Sequence, residues 1–294
     1  MATLTVLTDT YNRAYCLSRC YESLKRQTSK DFVWLIVDDG STDNTKDLID
    51  HWILERIIPI RYFWQANQGM HVARNMGNEK CDTELGVWID SDDYASDDAV
   101  EKIISFWRKH GSSEVGGIIA LNAREGGMII GDRLPESVDR ANMMELYSQY
   151  KIRGDKKVIL RSDIAAKYPL PVFRGEKFFP ESYRFLLIGQ QYKMLLMNVV
   201  VCIVVPSADS MTNFKNKVNQ YFTCPRGFSF YRKIRVSLSK NYIDKFWQSV
   251  HYIATSLIIK NKRFIHESPC PFITLIAIPF GILLYLFIRL IIFK

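Results

Sequence analysis

Hydrophobic and polar positions follow two rhythms along the first half of the chain. Short apolar runs at 4–7, 32–37, 60–64 and 85–89 have the length of strands, and the unbroken FVWLIV run at 32–37 suits a strand buried on both faces. Between them apolar residues recur at helical spacing. These are Leu17, Cys20, Tyr21 and Leu24; then Leu48, Ile49, Trp52 and Ile53; then 70–78 after a Gly-containing turn; and Val100, Ile103, Ile104 and Trp107 behind a Ser96-Asp97-Asp98 cap. Strand and helix in alternation predict an α/β domain around a mainly parallel sheet.

The second half is less regular. Residues 115–121, 129–130, 157–160 and 199–205 read as strands, with Gly126-Gly127 marking a turn. Residues 176–197 and 213–221 predict helices with loop insertions. Residues 228–260 predict two basic amphipathic helices, one carrying Ile243, Phe246, Trp247 and Val250 as a stripe. From 272 to 293 the chain is apolar on every side, with Arg289 its one charge. At about 1.5 Å per residue such a helix is long enough to cross the roughly 30 Å hydrocarbon core of a membrane. Pro279 and Gly281 leave room for a kinked or re-entrant segment. Lys260, Lys262 and Arg263 precede it, as on a cytoplasmic flank.

Charge changes the picture little. The net charge of +8 invites a nucleic-acid reading, but no zinc-finger or RNP-like signature accompanies the basic residues. They serve a phosphorylated ligand or an anionic membrane surface better. The six cysteines form no CxxC pair and no histidine stands at zinc-ligand spacing. The opening MATLTVLTDTYNR lacks the charged head and apolar run of a signal peptide. A reduced, cytosolic setting for the main domain is the expectation.

The chemistry is concentrated where strands end. Asp38-Asp39-Gly40-Ser41 follows the second strand and Asp90-Ser91-Asp92-Asp93 the fourth. The carboxyl ends of strands line the ligand crevice of open α/β sheets. Clustered carboxylates there repel one another unless a cation or hydrogen-bond donors satisfy them. Two or three hard oxygen ligands hold Mg²⁺ or Mn²⁺ incompletely, leaving room for water and phosphate oxygens. A cation so placed assists the departure of a diphosphate.

Four segments in order, Thr10-Tyr11-Asn12-Arg13, Val37-Asp38-Asp39-Gly40-Ser41-Thr42-Asp43, Asn67-Gln68-Gly69 with Ala73-Arg74-Asn75, and Asp90-Ser91-Asp92, resemble the inverting family-two glycosyltransferases. The likeness is close over 3–95 and looser over 96–225. It implies a GT-A fold: a nucleotide-sugar-binding, Rossmann-like mixed sheet flanked by helices. The chain then divides into a transferase domain at 1–225, a basic amphipathic region at 226–268 and an apolar membrane-attaching segment at 269–294.

The resemblance also implies roles. Thr10, Tyr11 and Arg13 fall on the nucleotide segment, and Asp38 and Asp39 on the turn whose second acid bonds the base edge. Asn67, Gly69 and Arg74 fall on the loop near ribose and diphosphate. Asp90, Ser91 and Asp92 fall on the DxD region, making Asp90, Asp92 and Asp93 the metal candidates and Asp92 the first choice for the metal-bound diphosphate. An inverting transferase needs a carboxylate to deprotonate the acceptor hydroxyl. The stretch Gly175-Glu176-Lys177-Phe178-Phe179-Pro180-Glu181 resembles a motif of a bacterial capsule and cell-wall subgroup, which nominates Glu181, with Glu176 second. Asp155, in Gly154-Asp155-Lys156, is nominated for the acceptor side. Departures stand at Asp209-Ser210-Met211-Thr212 and Cys224-Pro225-Arg226-Gly227, and no histidine metal ligand has a counterpart. The expectation is therefore a metal-dependent hexosyltransferase on the cytoplasmic face of the membrane. It uses a UDP-sugar and a saccharide or lipid-linked acceptor to build a cell-surface polysaccharide. A polyprenyl-phosphate sugar synthase and a non-catalytic sugar-nucleotide-binding scaffold are the alternatives.

Overall fold

The computed structural model of the protein describes residues 2–206 and 214–292. They belong to two compact units, one of Met1–Pro169 with Glu181–Ser207, the other of Leu170–Pro180 with Ala208–Lys294. The break that the sequence suggests after residue 225 falls inside the second unit.

The first unit opens with β1 (Leu4–Thr10), α1 (Ala14–Lys25), β2 (Phe32–Asp38), α2 (Thr45–Glu55), β3 (Ile60–Trp64), α3 (Met70–Lys80) and β4 (Leu85–Trp88). It continues through β5 (Tyr94–Ala95), α4 (Ala99–His110), β6 (Val115–Ala123), β7 (Arg140–Ala141), α5 (Met143–Ser148), β8 (Lys156–Arg161) and α6 (Ser162–Lys167). It closes on α7 (Ser182–Ile188) and β9 (Lys193–Ile203). The strands form one mixed sheet in the order β3-β2-β1-β4-β8-β6-β9-β5, with β7 also on β9. β1 to β4 pair in parallel, while β8 is antiparallel to both β4 and β6.

Helices cover both faces, and β1, β2 and β4 are accordingly buried along almost their whole length. On one face Tyr21 of α1 and Trp52 of α2 stack at 4.3 Å beside Trp34 of β2. On the other, Ala73 of α3 packs on Leu7, Leu35, Val37 and Trp88. That approach needs Gly77, since a Cβ there would lie 2.5 Å from the Trp88 ring. It also fixes the height of Arg74, one turn earlier.

The structure overturns one stretch of the sequence reading. Residues 193–197, expected to be helical, form the first half of β9, which pairs with β6 and β7. Leu and Met favour helix in isolation, and sheet pairing overrides that weak preference. The expected strand at 129–130 is reduced to a single bridge between Ala123 and Ile129.

The second unit holds α8 (Phe214–Thr223), α9 (Pro225–Leu238), α10 (Tyr242–Ile258) and α11 (Pro271–Ile292). The departure at 209–212 lies outside the described residues, as does residue 293.

Candidate active site

The parallel strands end in register, Thr10 beside Asp38 and Asp38 beside Trp64. The loops beyond them are tied together by carboxylates. Asp38 is fully buried; its Oδ1 accepts the Ser41 N–H at 2.7 Å and its Oδ2 the Tyr62 hydroxyl at 2.8 Å. Asp39 accepts from Gln65 Nε2 and the N–H groups of Gln68 and Gly69, at 2.6, 2.9 and 2.7 Å. The acid nominated for the base edge thus holds the 65–69 loop in place. Gly40 permits this at φ +84°, where a Cβ would sit 2.7 Å from the Asn67 nitrogen. Asn12, at φ 52°, accepts the Thr42 N–H at 2.7 Å and donates its own to Ser41 Oγ at 2.8 Å. Tyr11 is left half exposed. Thr10 Oγ1 and Asn67 Oδ1 are buried without a hydrogen-bond partner, a costly state that a polar ligand would relieve.

Arg74 is the hub of the acidic half. Its Nε donates to Asp9 at 2.9 Å, its Nη2 to Asp90 at 2.6 Å, and its Nη1 to Glu181. The guanidinium also lies over the Trp88 ring, 5.2 Å from the centroid. Burial pushes the Asp9 carboxyl up to about 6 against the pull of Arg74. Desolvation raises Asp90 as well, but half of that side chain is open to solvent. The charges of Arg74 and Lys157 outweigh it and hold Asp90 below the usual carboxylate range. Glu181 stands at the cap position of α7, yet its side chain makes no capping bond. It turns to Arg74 instead, with Arg184 at 3.6 Å.

Asp92 pairs with Arg13 at 2.9 Å. Ser91 is buried in the same turn. Asp93 turns into the fold, where its Oδ1 accepts the Val205 N–H at 3.0 Å and burial pushes its carboxyl up to about 7. Asp155 is exposed by its own surface but lies among enough protein that desolvation, reinforced by Asp90 and Glu181, raises its carboxyl. Beneath these acids Lys157 is buried and donates to the Trp88 carbonyl at 3.0 Å.

Residues 5–166 match the family described as "Glycosyl transferase family 2". The chain belongs to that family. Among similar proteins, GlyA of Streptococcus pneumoniae serotype 4 is 30% identical over 189 residues, 60% of this chain and 25% of that protein. A teichoic acid poly(glycerol phosphate) polymerase of Staphylococcus epidermidis is 37% identical over 94 residues, 32% of this chain and 13% of that one. The chain thus spans a quarter or less of the length of these two relatives. The fold is that of S. aureus TarS 1-349 in complex with UDP-GlcNAc (TM-score 0.63, 14% identity, 98% of this chain and 90% of that one). Mannosyltransferase PcManGT from Pyrobaculum calidifontis, in complex with GDP-Man and Mn2+, is also similar (TM-score 0.58, 14% identity, 96% and 73%). The GT-A architecture expected from the motifs is therefore the observed one.

In this family-2 glycosyltransferase the nominated residues fall into separate groups. Arg74, Asp90 and Glu181 meet directly, although 107 positions separate Arg74 from Glu181. Glu176 lies in the second unit, where its Oε1 accepts the Arg226 N–H and its Oε2 the Gly227 N–H, each at 2.8 Å. Its carboxylate closes the open N-terminus of α9. Asp9 and Lys157 were not singled out from the sequence. Asp9 had a usable signal, being an acid one residue from the end of β1. Lys157 had none, because a lysine inside a strand pattern ordinarily points to solvent.

The donor set can be tested against a divalent cation. Among the described residues no three His, Cys, Asp or Glu side chains are grouped to hold one. Asp90 and Asp92 nevertheless offer the hard oxygens that suit Mg²⁺ or Mn²⁺. One or two carboxylates suffice when phosphate and water complete the shell. The chemistry of the pair suits such an ion, while Asp93 has one of its two oxygens taken by the Val205 N–H.

Proposed function

We propose that the chain is an inverting glycosyltransferase that moves a sugar from a UDP-linked donor to a saccharide or lipid-linked saccharide acceptor. We assign it to cell-surface polysaccharide synthesis at the cytoplasmic face of the membrane. The observation that carries the reading is the Arg74 tie. It brings Glu181 to the acids at the ends of β1 and β4, so a donor cradle and a base share one crevice. The UDP-GlcNAc complex of the TarS neighbour supports the donor class, and the Mn2+ of the mannosyltransferase neighbour supports the metal.

In this reading Tyr11 and the buried Thr10 and Asn67 oxygens receive the nucleoside. Asp39 and Gly40 hold the loop that carries Asn67 and Gly69 against it. Arg13 and Arg74, now neutralised by Asp92 and Asp90, are the cations available to phosphate oxygens. A divalent ion held by Asp90 and Asp92 would add Lewis-acid stabilisation of the departing diphosphate. Glu181 takes the proton of the acceptor hydroxyl as that oxygen attacks the anomeric carbon. The bond from that carbon to the diphosphate breaks on the opposite side, and the configuration inverts. Asp155 lines the acceptor side.

The test is a panel of nucleotide sugars with Mn²⁺ and the detergent-solubilised chain. Glu181→Gln is expected to abolish transfer while leaving donor binding intact, and Asp92→Ala to weaken both. If no donor is bound or hydrolysed and Asp92→Ala changes nothing, the proposal fails.

A further inference from the structure

The apolar C-terminal helix has two unlike faces. Thr274, Ala277, Gly281 and Ile288 are buried, while Phe272, Ile276, Phe280, Leu283, Phe287 and Leu290 are about half exposed or more. The buried stripe packs lengthwise on α10, and the two helices run in the same direction. Cys270 Sγ is 3.7 Å from Lys245 Nζ, and Thr274 Oγ1 is 3.5 Å from Ser249 Oγ. Gly281 lies so close to Ile253 that a Cβ would meet it at 2.5 Å. Ile288 reaches Ala254 and Val218.

A parallel pair requires the connector 259–270 to return along its own side. It does so, with Phe264 accepting the Tyr252 hydroxyl and Glu267 reaching Lys233 of α9. The flank of Lys260, Lys262 and Arg263 therefore runs back beside α10 instead of standing clear at one end of α11. Were α11 to stand upright through a bilayer, α10 and this connector would enter the hydrocarbon with it. Asp244 and Lys245, level with Cys270, would stay near its edge, but Arg263, next to the Phe264 carbonyl that Tyr252 holds, would be carried inward where charge is costly. Lying flat, α11 offers lipid only its exposed stripe.

Charge names the occupant of that face. Residues 226–294 hold eleven Lys and Arg against two Asp and Glu, whereas residues 1–225 hold 28 against 29. The whole positive balance of the molecule thus sits in the segment that carries the apolar stripe. Trp247 extends the stripe, joined through Phe246 to Phe280. We propose that the second unit docks on an anionic phospholipid surface with α11 lying in the plane of the bilayer, not across it. The proposal rests on the membrane attachment put forward above and specifies its geometry.

The experiment uses the full chain with vesicles of phosphatidylcholine, with and without phosphatidylglycerol. A fluorescent amino acid is placed singly at 272, 283 or 290, and its depth is read by lipids carrying quenchers at different heights. In-plane docking gives one shallow depth for all three positions, and binding that needs phosphatidylglycerol and weakens with salt. Leu283→Asp with Phe287→Asp, both exposed in the fold, should lower vesicle partitioning at least tenfold while circular dichroism stays unchanged. A bilayer-centre depth at 283, with 272 and 290 near opposite surfaces, overturns the in-plane placement alone. Failure to bind any vesicle, or dimerisation through this face instead, overturns lipid docking and leaves the catalytic reading to its own donor assay.

Discussion

Replacing Arg74 by Met keeps an unbranched side chain over Trp88 and removes the charge that three carboxylates share. Side-chain exposure is 7% for Arg74, 17% for Asp9, 21% for Glu181 and 51% for Asp90. The half-open Asp90 is rehydrated at small cost, as for a surface pair. Asp9 and Glu181 are not, and stripping the partner from a buried ion pair costs about 3–5 kcal/mol. Asp9 also sets the pH dependence. Its folded pKa, already about 6, lies above its unfolded value, so its ionised form opposes folding. That penalty is absent below the unfolded pKa and grows as pH rises through the folded one. Without Arg74 the folded value rises further. Urea denaturation followed by tryptophan fluorescence should therefore show Arg74→Met about 3–5 kcal/mol less stable than wild type at pH 8. The gap should narrow by pH 5, and Asp9→Asn added to the variant should restore part of the loss at pH 8. A deficit below about 1 kcal/mol at pH 8, or one indifferent to pH, would refute the hub.

Three further perturbations test neighbouring parts of the argument. Glu176→Ala should cost about 1–2 kcal/mol in denaturation by uncapping α9, with donor affinity by calorimetry unchanged. Gly40→Ala forces a Cβ toward the Asn67 nitrogen at a positive φ. It should cost about 1–3 kcal/mol and weaken donor binding roughly tenfold, equivalent to about 1.4 kcal/mol, because the 65–69 loop must move. Lys157→Met removes the buried cation beneath Asp90, Asp93 and Asp155. A loss of about 3 kcal/mol at pH 8, smaller at pH 6 where Asp93 takes a proton, is expected in urea melts.

Much of the first unit was legible before any coordinates. The apolar cores of β1, β2 and β4 announce themselves because strands covered by helices on both sides bury nearly every position. The stripes on α1, α2 and α4 show because a helix buries one face. The acids after β2 and β4 stand out for the same reason, since a strand pattern breaking into Asp-Asp has little to do with packing. Beyond residue 123 the signal fades. Residues 193–197 look helical by composition and become a strand only because β6 and β7 lie ready to pair with them.

What the sequence determined by itself was chemical: which residue types end each strand, and that residues 226–294 are both basic and, from 272 on, apolar. What the tertiary structure decided was partnership. Arg74 and Glu181, 107 positions apart, share an ion pair, whereas Glu176, five residues from Glu181, closes a helix in the other unit. The basic flank of α11 folds back beside α10, which spacing alone would have left standing before a span. Local patterning fixes which face of an element is buried, but long-range packing chooses which carboxylate meets which cation.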